Sequence, residues 1–125
     1  MTYLWVALGG ALGSVARYLV GIHGGRLLGT AFPWSTLIIN VTGSFLIGVF
    51  AESFALRWDA APSTRVFLVV GICGGYTTFS TFSLEVVTLI NRDQYLAAAA
   101  YILASVVVSV VALFAGLHLM RAVLD

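Results

Sequence analysis

The sequence predicts an all-α integral membrane protein of four transmembrane helices, the third broken mid-membrane. Three observations predict it. Hydrophobic residues make up 61% of the 125 and charged ones 9%, against roughly 25% charged in soluble domains, and mean hydropathy is +1.06. A soluble globular fold is excluded. Three runs carry no charge, Leu27–Ala51, Val66–Leu84 and Gln94–Met120, of 25, 19 and 27 residues with His118 counted neutral, and a bilayer needs about 20 apolar residues. The polar residues left inside these runs are few and grouped, as groups with assigned partners in a membrane must be.

Taken in order, the first span starts at Met1 and is uncharged to Ala16, and its apolar pattern passes Arg17 through Tyr18, Leu19 and Val20. No basic segment precedes it, so it reads as a retained helix and not as a secretory signal. The connections are Gly24–Phe32 before Pro33, Arg57–Arg65 with Pro62, and Asn91–Gln94, each holding charges or helix breakers. Consecutive helices are therefore antiparallel. Residues 1–125 read as a single four-helix transmembrane domain, and the function lies within the membrane. Trp5, Trp34, Trp58, Tyr3 and Tyr95 fall near span ends, where amphipathic rings anchor at the interface. Gly9/Gly13, Gly21/Gly25, Gly25/Gly29 and Gly71/Gly75 have the four-residue spacing of packing glycines in membrane helices. A four-helix bundle fills its own centre, so a conduit requires a second copy.

All six basic residues are arginine, at 17, 26, 57, 65, 92 and 121, and the formal charge is +1. No basic face for nucleic acid exists. With the N-terminus inside, Arg57, Arg65 and Arg121 lie on the cytoplasmic side and Arg26, Arg92 and, near its helix end, Arg17 on the other. Cytoplasmic loops normally hold a clear excess. A chain with so small a bias either inserts both ways and pairs as a dual-topology antiparallel homodimer, or takes one orientation from other cues. Cys73 stands alone, so no intrachain disulfide forms and it reads as a packing residue. His23 and His118 lack a second ligand at metal spacing.

The densest polar cluster is GGYTTFSTFSLE, Gly74–Glu85. Two glycines followed by Thr77, Thr78, Ser80 and Thr81 make a poor continuous helix. The carbonyls freed by a break are satisfied either by those hydroxyls or by a hard cation such as Na⁺. Phe79, Phe82 and Glu85 are spaced by three and share a face. The two rings either pack or face lipid, or they turn positive edges toward a small anion. Tyr101, Ser105 and Ser109 form an i, i+4, i+8 stripe on the fourth span, either bonding the preceding turns or lining a track. Asn40 lies mid-span between Thr36 and Ser44 and needs partners for its amide. Arg17 either draws anions into a vestibule or snorkels to headgroups. Glu52 and Glu85 pair with arginines or face water. No residue reads as catalytic.

These residues, with GGALGSVARY at Gly9–Tyr18 and the Asn40-Val41-Thr42-Gly43 segment, resemble the small Fluc, or CrcB-type, fluoride channels, and the likeness runs through all four spans. The resemblance implies a channel that passively exports cytoplasmic fluoride across the cell membrane, built as an antiparallel homodimer with two pores. It implies that Asn40, Phe79, Phe82, Tyr101, Ser105 and Ser109, with the neighbouring hydroxyls of Ser80 and Thr81, line the fluoride path. Arg17 and Glu85 match vestibule residues. Gly74 and Thr77 match the backbone carbonyls that hold a central structural Na⁺ at the dimer interface. Ser14 and Tyr76 depart from the family's alanine and leucine. A small proton-coupled multidrug exporter is the competing class, but it relies on an acidic residue deep in the first span, and Met1–Val20 contains none. A non-transporting membrane assembly subunit is the third.

Overall fold

A computed structural model describes residues 1–124. Four segments are long and apolar enough to cross a membrane: Thr2–Leu28, Trp34–Leu56, Pro62–Asn91 and Tyr95–Leu124. The first is α1 and the second α2. The third comprises α3 (Pro62–Arg65), a π-helical stretch (Val66–Cys73), α4 (Gly74–Tyr76) and α5 (Phe79–Asn91), and the fourth is α6 (Tyr95–Leu124). In the π stretch the ladder steps back five residues, as where the Gly74 N–H reaches the Val69 carbonyl.

Each helix outruns the uncharged stretch that announced it, because a charge inside a helix needs only a partner. α1 continues through Arg17 and Arg26 to Leu28, and it stops at Gly29, whose φ of 80° suits glycine alone. Leu27 and Leu28, expected in the first connection, belong to α1. The first connection is thus Gly29–Pro33 and not Gly24–Phe32. α2 runs past Glu52, which is 8% exposed and accepts from Arg121 Nη2 at 3.1 Å. Asp93, with φ 59°, turns the chain between α5 and α6, a conformation that Asp tolerates better than most residues. The three tryptophans and Tyr3 and Tyr95 lie exposed at helix ends or beside them.

The closest packing joins alternate helices and not consecutive ones. A Cβ on Gly9 would fall 2.6 Å from the Phe67 carbonyl and 2.8 Å from Gly71 Cα, and one on Gly13 would strike Ile72 O and Tyr76 N. Gly75 meets Gly10 in the same way. Contacts that advance in the same order on both elements mean that α1 and the third segment run parallel. α2 and α6 are likewise parallel, crossing where Gly48 abuts the Leu113 backbone and Gly116 that of Phe45. Gly9/Gly13 and Gly71/Gly75 are thus packing glycines. Gly21, Gly25 and Gly29 are not within this chain, since a Cβ there would meet at most the Thr30 methyl at 3.8 Å.

Candidate functional site

Midway along the third segment, Thr77 (φ −80°, ψ 157°) and Thr78 (φ −152°, ψ 123°) have extended backbone. Gly74, at φ −64° and ψ −38°, is helical. The extended residues thus follow the glycine pair by two positions. Gly75 serves the approach to α1, while the threonines have outside partners for the backbone groups that leave the ladder. The Thr78 N–H donates to Asn40 Oδ1 at 2.9 Å, and Asn40 Nδ2 donates to the Thr78 carbonyl at 3.0 Å. Thr78 Oγ1 accepts from the Thr81 N–H at 3.2 Å and caps α5. Thr77 Oγ1 and its N–H both donate to the Cys73 carbonyl.

Two carbonyls lose their usual donors in consequence. The N–H four residues on from Gly74 belongs to Thr78 and goes to Asn40, and the N–H four on from Thr77 belongs to Thr81 and goes to Thr78 Oγ1. A third carbonyl, that of Gly75, accepts from Arg17 Nε at 3.2 Å. Arg17 is therefore not near a helix end snorkelling to headgroups. It sits well inside α1 and serves the extended stretch.

Beside this stretch opens a cleft of about 270 Å³. Asn40 and Ser44 of α2 form one wall, Ser105 and Ser109 of α6 another, and Phe79 and Phe82 of α5 its rim. Phe79 is 78% exposed, with its ring centroid 5.5 Å from that of Phe82. Ser105 Oγ and Ser109 Oγ are buried without any hydrogen-bond partner among the described residues. An unpaired buried hydroxyl is costly, so two that face one cleft point to a ligand with acceptor character.

The remaining candidates lie around this cleft and not in it. Tyr101, fully buried, packs on Phe82 with ring centroids 5.1 Å apart and the planes tilted by 46°, and donates its hydroxyl to Glu85 Oε1 at 3.3 Å. Glu85 was expected to pair with an arginine or face water, and it accepts from a tyrosine instead. It also lines a cleft with Arg92. Ser80 is exposed, its hydroxyl 3.4 Å from that of Thr78. Thr81 lines a second cleft with Arg17, and Thr78 borders both. Sequence reasoning overlooked Thr78 as the residue that Asn40 holds and left Ser44 without a role. The position of Ser44 one turn from Asn40 was the available signal. Tyr76 donates to or accepts from Thr42 Oγ1 at 2.9 Å and lies against Gly43, which accounts for a tyrosine there.

The sequence profile described as "CrcB-like protein, Camphor Resistance (CrcB)" matches residues 4–117. The chain is 64% identical over 118 residues to "Fluoride-specific ion channel FluC 1" of Nitrobacter hamburgensis, covering 94% of each chain. It is 63% identical over 120 residues to "Fluoride-specific ion channel FluC" of Nitrobacter winogradskyi, covering 96% of this chain and 95% of the other. A protein of the latter name from Rhizobium meliloti is 56% identical over 119 residues, 95% of each. With four apolar spans and a match along almost its whole length, this multi-pass membrane protein belongs to the CrcB-like family.

Proposed function

We propose that the protein is a fluoride-selective channel that lets cytoplasmic fluoride leave the cell passively. The observation that carries the reading is the pair of buried, unpartnered hydroxyls of Ser105 and Ser109, facing a cleft rimmed by Phe79 and Phe82. Fluoride is small and tightly hydrated, and it enters a narrow apolar path only where donors replace its water. Two hydroxyls, the Asn40 amide hydrogen that Thr78 does not use, and the positive edges of two phenyl rings supply that replacement. A larger anion fits the narrow path poorly, and a cation meets donors where it needs acceptors. The names of the relatives support the same ion.

The working unit is an antiparallel homodimer in the cell membrane. Phe79, on the cleft rim, and Gly74 are exposed in the single chain, and a second copy closes both. The Gly74 and Thr77 carbonyls suit a Na⁺ ion at the interface, because hard cations take oxygen ligands and both carbonyls have lost their helical donors. When bound, the ion supplies positive charge beside the anion path and ties the two copies together. The extended stretch at Thr77 and Thr78 lies near mid-membrane, about halfway along the third span.

Fluoride efflux from liposomes holding the purified protein tests the reading. The unaltered protein is expected to release fluoride and retain chloride. Phe82→Ile keeps the bulk, removes the ring edge and lowers the flux. Absence of fluoride release from a folded, reconstituted protein favours a non-transporting role.

A further inference from the structure

Ser44, which lines the cleft beside Asn40, has no part in the reading above. It follows Asn40 by one turn on α2, so both side chains leave the helix on one face. Both line the cleft, with Ser105 and Ser109 similarly spaced on the parallel helix α6.

Helix hydroxyls ordinarily bond the carbonyl one turn back. Thr42 does so to Ile38, Ser53 to Val49, Ser83 to Phe79 and Thr88 to Leu84, at 2.7 to 3.0 Å. Thr77 of the cleft does the same to Cys73, but the serines of the cleft behave differently. Ser105 and Ser109 make no bond, and on α2 the bonding hydroxyls are those of Ser35, Thr42 and Ser53 and not that of Ser44. Ser44, Ser105 and Ser109 thus leave their hydroxyls free along one cleft, where an ion would otherwise keep its water.

We infer that Ser44 is a further fluoride donor. Its hydroxyl binds the ion from the α2 wall while Ser105 and Ser109 bind it from α6, so water is replaced on two sides at once. This assignment rests on the channel reading. A donor on each wall favours the anion that gains most from dehydration, and Ser44 therefore contributes to selectivity as well as to flux.

The test compares Ser44→Thr with Ser44→Val, which share a branched shape and differ in the hydroxyl alone. The full-length proteins are reconstituted in vesicles of phosphatidylethanolamine and phosphatidylglycerol and read with a fluoride electrode, after size-exclusion chromatography shows equal folding. Thr is expected to stay close to the unaltered protein and Val to release fluoride about tenfold more slowly, the effect of losing one hydrogen bond to a charge. Should the added branch silence both, Ser44→Ala against the unaltered protein decides on the same readout, with a similar loss expected. Equal flux in Thr and Val, or an Ala variant as fast as the unaltered protein, overturns the assignment while leaving the channel standing. No fluoride release from the unaltered protein overturns both.

Discussion

Asn40 joins two helices through a single amide, since one Nδ2 hydrogen and Oδ1 engage the backbone of Thr78. The second Nδ2 hydrogen is left for the cleft. Asn40→Asp keeps the acceptor for the Thr78 N–H but sets a negative charge against the Thr78 carbonyl and on the proposed anion route. Fluoride flux is expected to vanish and stability to fall by roughly 1–3 kcal/mol, read as earlier thermal loss of the monodisperse species in detergent. A variant that melts normally would show that the amide does not hold Thr78. The need of Asn40 for partners was legible in the sequence. That the partner is a backbone 38 positions away was not, because no local periodicity relates the two.

At the scale of elements, backbone-to-backbone contact through glycine sets how the helices lie. The crossing of α2 and α6 depends on Gly48 and Gly116, which have no partner at the four-residue spacing and so escaped a search for glycine pairs. Their role became visible only once Phe45 and Leu113 were placed opposite. Gly48→Ala drives a methyl into the Leu113 carbonyl and is expected to cost about 1–3 kcal/mol. Gly21→Ala, with nothing within 4 Å, is expected to change stability by no more than about 0.5 kcal/mol. Thermal denaturation of the two variants side by side checks the contrast, and equal melting would refute it. The same logic explains the third segment, whose Gly71 and Gly75 meet α1 while Thr77 and Thr78 carry the extended backbone.

For the whole molecule, charge bears on orientation and on the proposed antiparallel assembly. Arg17 bonds the Gly75 carbonyl inside α1, which removes it from the loop count and leaves Arg57, Arg65 and Arg121 against Arg26 and Arg92. An excess of one sets orientation weakly. Two lysines appended at the C-terminus should force one orientation and abolish efflux, and co-expression with an oppositely biased copy should restore it. Full activity from a one-way population would contradict the antiparallel dimer. Exhaustive exchange of Na⁺ for N-methylglucamine should make the dimer melt earlier in detergent and slow efflux. Unchanged melting and efflux would reject the cation site at Gly74 and Thr77.

The number of spans, their approximate places and the candidate site residues were legible in the sequence alone, because each is a local property: hydropathy over about 20 positions, a helical repeat, or a motif. The tertiary structure decided which of those residues meet. Asn40, Phe79, Phe82, Ser105 and Ser109 share a cleft with Ser44, whereas Tyr101 turns to Glu85 and Arg17 to Gly75. The physical reason is that a polar group in an apolar interior takes whichever partner the packing brings near. Here the packing is set by backbones meeting across Gly9, Gly13, Gly48 and Gly116, at distances along the chain that no helical repeat encodes.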